Sequence, residues 1–130
     1  MSPPQRKPHA VLDLPSRRQK GLKIERLLDL ATFPQPIRML EIGTGAGGIA
    51  HYFGTHETIK CTVTAVDVID QRLLYDGFDF HLVSDTAMPF PSEWFDVVIT
   101  NHVIEHVGEE ANQRHHLSEI RRVMRPKGIG

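Results

Sequence analysis

Apolar residues recur along the chain with two periods, and the alternation between them sets out the elements. Ile24, Leu27, Leu28 and Ala31 fall at helical spacing. They predict a helix capped by Ser16, running to about Ala31 and stopped by Pro34 and Pro36. "IRMLEI" (37–42) reads as a buried strand, and "GIAHYFGTHE" starts a second helix. "KCTVTAVDV" (60–68) is a second strand, after which "IDQRLLYDG" has room for two helical turns at most. "DFHLVSD" (79–85) is a third strand with Phe80, Leu82 and Ser84 on one face, and the Pro-containing "TAMPFPSE" leads to "WFDVVIT" (94–100). That fourth strand is almost continuously apolar, as in a parallel sheet covered on both faces. A last helix is predicted over about 109–124, with Leu117, Ile120, Val123 and Met124 inward and Pro126 and Gly128 ending it. Glu109 and Glu110 in its first turn and Arg121, Arg122 and Arg125 at its end suit the helix dipole. His115 and His116 read as surface residues of this helix.

Strands alternating with helices require crossover connections, hence a doubly wound, Rossmann-like α/β fold: a parallel sheet with helices on both faces. Ligands of such sheets bind beyond the carboxyl ends of the strands. The candidate residues fall there: Glu41 and the following glycines, Asp67, Asp85 and Asn101.

Composition narrows the function classes. The chain has 130 residues, enough for one domain, with a formal net charge of −1 from 15 basic and 16 acidic residues. This balance offers no general attraction for nucleic acid or an anionic membrane. No apolar run approaches the roughly 20 residues of a membrane span. A single cysteine, Cys61, excludes an internal disulfide, and the first ten residues lack the apolar core of a secretory signal. The expectation is a soluble cytoplasmic protein. Residues 1–15, with Pro3, Pro4, Pro8 and Pro15, read as a flexible arm ahead of a domain over 16–130. In the first 23 residues Arg6, Lys7, Arg17, Arg18, Lys20 and Lys23 face only Asp13, a distribution read as solvated tail and helix surface in preference to a substrate- or partner-binding patch.

The loop "EIGTGAGG" carries the chemistry. Gly43, Gly45 and Gly48 make G-x-G-x-x-G, and Gly43, Gly45 and Gly47 make G-x-G-x-G. Asp67 lies at the right distance to accept ribose hydroxyls in either case. Charge discriminates. A dinucleotide would bring a pyrophosphate close to Glu41, and like unit charges about 4 Å apart repel by roughly 4 kcal/mol at an effective dielectric near 20. No Lys or Arg lies between Arg38 and Lys60 to offset this. A ligand with an ammonium reverses the sign. S-adenosylmethionine has one, with adenosine for Asp67 and Asp85 and no phosphate.

These residues resemble the class I S-adenosylmethionine-dependent methyltransferases, most closely the type 11 group. "LEIGTGAG" is similar to the first motif of that family and "VTAVDV" to its second strand. "SDTAMPFPSEWFDVVITNHVIEHV" is similar to its adenine loop and fourth strand, and "HLSEIRRVMRPKG" to the helix before its fifth. The resemblance spans roughly residues 25–130. It implies that Gly43, Thr44, Gly45 and Gly47 meet the methionine part through their backbone, and that Glu41 orients the ammonium. Asp67 would take the ribose, Val68 pack on adenine, Asp85 accept from the adenine amino group with Thr86 donating beside it, and Asn101 offer its carbonyl near the ammonium. Two departures are expected. The third helix is stunted or absent, and the chain stops at "RPKGIG", where the fifth strand would begin. That would leave an apolar sheet edge suited to self-association, as in a fragment of a longer protein.

His102 and His106, four apart, would share a helix face near the methyl group, but the spacing places no third ligand, so no metal is expected and no catalytic residue is assigned. Expected partners are a small-molecule methyl acceptor, with neither membrane nor nucleic acid. Two rival readings remain at this stage: an NAD-dependent Rossmann oxidoreductase, and a methyltransferase-like module that binds a nucleoside or partner without catalysis.

Overall fold

The computed structural model describes residues 14–83, 88–100 and 110–129. In chain order its elements are α1 (Leu14–Leu28), a 3-10 turn (Leu30–Thr32), β1 (Ile37–Ile42), α2 (Gly48–Gly54), β2 (Cys61–Asp67), β3 (Phe78–Leu82), β4 (Phe95–Thr100), α3 (Glu110–Val123) and β5 (Met124–Ile129). The sheet order is β3-β2-β1-β4-β5, and every neighbouring pair is parallel. This is the expected doubly wound arrangement, in which crossovers step outward from β1 first one way and then the other.

β1 is buried on both faces, which explains its apolar run. Ile37 and Met39 join the layer beneath α1 and α2, with Ile49, Phe53, Val63, Ala65 and Val97. Leu40 and Ile42 join the layer beneath α3, with Val66, Phe95, Val98, Ile120 and Val123.

Several element ends and faces depart from the sequence pattern. α1 starts at Leu14, and Ser16 lies inside its first turn rather than capping it. It stops at Leu28, because Asp29 takes a left-handed conformation (φ 51°) and the chain continues as a 3-10 turn. The turn buries Leu30 completely and leaves Leu27 77% exposed, so Leu27 and Ala31 are not core residues. Gly21 is on the inner stripe instead. A Cβ there would lie 2.5 Å from the Tyr52 ring, so α1 and α2 touch at this point.

No helix forms between β2 and β3. Residues 68–77 instead make a strap across the glycine loop, with the amides of Leu73 and Leu74 donating to the Ala46 carbonyl at 2.9 and 3.1 Å. Arg72 pairs with Asp70 at 2.8 Å and stacks over Phe80 at 4.1 Å. With no helix over this corner, Leu82 shares a face with the half-buried Phe78 and Phe80 but is 64% exposed.

The fifth strand is present. β5 pairs with β4 from Phe95↔Met124 to Val97↔Ile129 across a register shift, so β4 is an inner strand and not the expected bare edge. α3 therefore gives way to a strand at Met124 instead of ending at Pro126 and Gly128. Its buried stripe is His116, Ile120 and Val123, spaced four and three, while Leu117 stands 45% exposed. The reading of His116 as a surface residue is corrected: it is fully buried. Among the described residues no helix is long and apolar enough to cross a membrane.

Two outcomes are expected. Gly54→Ala would place a methyl 1.7 Å from the Gly77 carbonyl oxygen, lifting the strap from α2. Urea denaturation should show a loss of roughly 2–4 kcal/mol. Burial of His116, with a smaller contribution from His115, pushes its pKa below 6.5. The folded chain thus keeps this imidazole neutral, while the unfolded chain protonates it as pH falls through that value. Stability should decline below about pH 6.5. His116→Leu should flatten that part of the pH profile; an unchanged slope would assign it to other groups.

Candidate functional site

Parallel pairing of β1 with β2 aligns Glu41 with Ala65 and Ile42 with Val66, so both strands deliver their ends to one edge of the sheet. There the chain of β1 turns sharply. Gly43, Gly45 and Gly47 have φ of 80°, 56° and 91°, the left-handed region that favours glycine. Gly47 is doubly constrained, since a Cβ would meet the Leu74 carbonyl oxygen and the Phe78 ring at 3.0 Å.

Four of the loop's amides are paired within the fold. Gly43 and Thr44 donate to the Val66 carbonyl at 2.9 and 3.3 Å, and Gly47 donates to the Thr44 carbonyl at 3.0 Å. Gly45 donates to Asp67 Oδ2 at 3.0 Å. Asp67 Oδ1 accepts from the Val68 amide at 2.8 Å. Each carboxylate oxygen accepts along more than one lone-pair direction, so Asp67 retains capacity for a ligand hydroxyl. No helix follows β2, so Asp67 does not serve as a helix cap.

Glu41 lies beneath the loop and is 1% exposed. Its Oε1 accepts from the Thr44 hydroxyl at 2.7 Å. A carboxylate below a loop whose Gly43, Thr44, Gly45 and Gly47 amides are spent makes a site that favours cations and hydroxyl donors.

Glu41, Gly43, Thr44, Gly45, Gly47 and Asp67 are thus brought together. Val68 follows directly and is 55% exposed beside Ile69 at 56%, an apolar pair at the rim. Asp85, Thr86, Asn101, His102 and His106 lie outside the described residues. Cys61 is remote from this edge, at the start of β2, and burial followed by the Glu25 charge pushes its thiol up to about 11, away from the reactive thiolate.

The sequence reading counted Arg17 among the solvated basic residues and did not place it against Gly48. The Arg17 Cγ lies 2.8 Å from where a Gly48 Cβ would stand, so the stem of this side chain runs along the start of α2. The available signal was Gly21, one turn later on the same helix face. A mid-helix glycine costs roughly 1 kcal/mol against alanine and so marks a close helix contact. A separate open groove of about 490 Å³, lined by Ser92, Glu93, Arg122 and Arg125 among others, lies at the opposite end of the sheet. Two of its arginines are engaged: Arg122 with Glu119 and the Met88 and Phe90 carbonyls, and Arg125 with Asp96.

Comparison with known proteins places this edge in context. A family model described as a methyltransferase domain matches residues 40–130. The chain is 24% identical over 110 residues to cyclopropane-fatty-acyl-phospholipid synthase of Escherichia coli (strain K12), an alignment covering 82% of this chain and 28% of that protein. Among solved structures it is similar to phosphoethanolamine N-methyltransferase 2 of Haemonchus contortus, in complex with phosphomonomethylethanolamine and S-adenosylhomocysteine. The TM-score is 0.68 at 22% identity, over 85% of this chain and 27% of that one. It is also similar to a SAM-dependent methyltransferase from Aquifex aeolicus, with a TM-score of 0.61 at 20% identity over 89% of this chain and 69% of that one. The structural likenesses agree on the fold, and the chain spans little more than a quarter of the curated relative.

The Glu41–Thr44 contact yields a stability test. Thr44→Val removes the hydroxyl that a buried carboxylate uses, and urea denaturation should show a cost of about 1–3 kcal/mol. Thr44→Ser should recover most of it.

Proposed function

Because the chain belongs to the methyltransferase-domain family, class I and type 11, whose cofactor is S-adenosylmethionine, we propose that it holds that cofactor across the ends of β1 and β2 and serves methyl transfer to a small-molecule acceptor. One observation carries the assignment of the site: the amides of Gly43, Thr44, Gly45 and Gly47 are consumed within the fold, directly above the buried Glu41. A diphosphate needs free amide donors at this place. An ammonium needs acceptors, and carbonyl oxygens and a carboxylate supply them.

In this reading Glu41 sets the negative potential that holds the ammonium end. Glycines 43, 45 and 47 keep the loop bare, so the methionine part reaches the backbone. Thr44 fixes the Glu41 carboxylate from above. Asp67 accepts from the ribose hydroxyls while keeping Gly45 in place, and Val68 offers an apolar surface to adenine. Asp85, Thr86 and Asn101 are proposed for the adenine amino group, its neighbouring ring nitrogen and the ammonium, following the family pattern.

When bound, the cofactor supplies a methyl group already activated on a sulfonium. The chain's residues are left with alignment for an in-line displacement and exclusion of water. An oxygen or nitrogen acceptor would call for a base, and no residue is assigned that task.

Calorimetry with S-adenosylmethionine, S-adenosylhomocysteine and NAD tests the reading. Binding of the first two without NAD is expected, and a preference for NAD would overturn it. Asp67→Asn should weaken S-adenosylmethionine binding about tenfold or more, the scale of hydrogen bonds to a charged acceptor. Unchanged affinity would remove the ribose role from Asp67.

A further inference from the structure

Among the described residues the sheet has two outer strands, β3 and β5, and their free edges differ. β5 pairs with β4 across a register shift and contains Pro126, which has no amide to offer. Both features block further pairing. β3 has neither. Its five residues, FDFHL, pair with β2 in unbroken register and include no Pro, Lys or Arg. The edge suited to self-association thus lies at β3, not at β4.

Which groups of β3 point outward follows from one bond. The Val83 amide donates to the Asp67 carbonyl at 2.9 Å, so Val83 turns its backbone toward β2. The N–H and C=O of a strand residue point the same way, and the direction alternates along the chain. Asp79 and His81 therefore also turn toward β2, and Phe78, Phe80 and Leu82 turn their backbone groups outward. This set is symmetric about Phe80. An antiparallel copy centred there sets Phe80 opposite Phe80 and Phe78 opposite Leu82, as pairs that exchange both N–H···O bonds. Asp79 falls opposite His81 in the closer, non-hydrogen-bonded position, where a carboxylate and an imidazole attract. Both residues are exposed, and no ion pair among the described residues includes either. The His81 ring is set edge-on to Phe90, with centroids 5.2 Å apart. On the other face, Leu82, 64% exposed, would meet the partner's half-buried Phe78.

We propose that the protein forms a two-fold dimer by antiparallel pairing of β3 with β3 of a second copy, in the register centred on Phe80, so that one sheet runs through both chains. The partner is a second copy because the strand complements itself: its outward backbone groups, its apolar face and its Asp79–His81 pair all coincide with their own two-fold image. No residue assigned to the cofactor takes part, so the inference stands apart from the reading above.

Sedimentation velocity over a wide concentration range tests it. The wild-type chain should pass from monomer to dimer as concentration rises. Asp79→His sets imidazole opposite imidazole, and His81→Asp sets carboxylate opposite carboxylate. Each should raise the dissociation constant about 3- to 30-fold, because two equivalent pairs are lost at once. The double variant reverses the pair and should return to near the wild-type value. Circular dichroism checks that each variant folds. Amide exchange followed by NMR on the wild-type chain needs no variant: the amides of Phe78, Phe80 and Leu82 should slow as dimer forms, whereas those of Asp79 and His81 should be slow at every concentration. A monomer at every concentration would leave this edge to a different chain or to solvent and overturns the inference. A dimer in which the three outward amides still exchange fast, or a double variant as weak as the single ones, overturns it as well.

Discussion

Parallel pairing between β1 and β2 is the constraint from which the site follows. It brings the turn after Ile42 beside the last residue of β2, so that the Val66 carbonyl takes the amides of Gly43 and Thr44 and the Asp67 carboxylate takes that of Gly45. Two carboxylates then lie near one loop without sharing the same environment. Glu41 is buried below and held by Thr44, while Asp67 is half-buried and held by two amides. The loop between them is a hydrogen-bonded plate in which the amides of Gly43, Thr44, Gly45 and Gly47 are used. Its sign preference follows from those pairings as much as from the acids themselves.

The second feature of consequence is the absence of a helix between β2 and β3. A strap of ten residues takes its place, fastened by the Ala46 carbonyl and by Arg72 lying over Phe80. It covers less of the sheet than a helix would, which is why Val68, Ile69, Leu73 and Leu82 are exposed next to the site. α1 is secured by a separate network. The Glu25 carboxylate accepts from the Tyr52 hydroxyl at 3.1 Å and faces His56 Nε2 at 2.7 Å. His56 Nδ1 accepts from the Ile59 amide at 2.9 Å, which assigns the ring proton to Nε2. The tie binds α1 to α2 and to the turn ahead of β2, and one result is the position of Arg17 over Gly48.

Much of the fold was legible in the sequence, for reasons that can be named. β1 coincides with "IRMLEI", and β4 lies within "WFDVVIT", because strands buried on both faces are continuously apolar and admit no competing period. α3 was legible as a helix but not in its face. Leu117 is the more hydrophobic residue, yet His116 completes the four–three spacing with Ile120 and Val123. The end of α1 was obscured because Asp29 reverses the chain locally, and nothing in composition marks that reversal. β5 was obscured by its short, proline-containing sequence, which reads as a helix stop until β4 is present as its pairing partner.

The sequence alone determined the order of the helices and of the first four strands, the bare glycine turn and the acids at the ends of β1 and β2. These depend on local periodicity and on residue types with narrow conformational uses. Only the tertiary structure decided where Glu41 sits, which amides of the loop are spent, that a strap replaces a helix, and that Arg17 reaches Gly48. Each of these depends on contacts between residues distant along the chain, such as Gly45 with Asp67 and Arg17 with Gly48. Spacing along the chain carries no information about such contacts until the parallel sheet has brought the segments side by side.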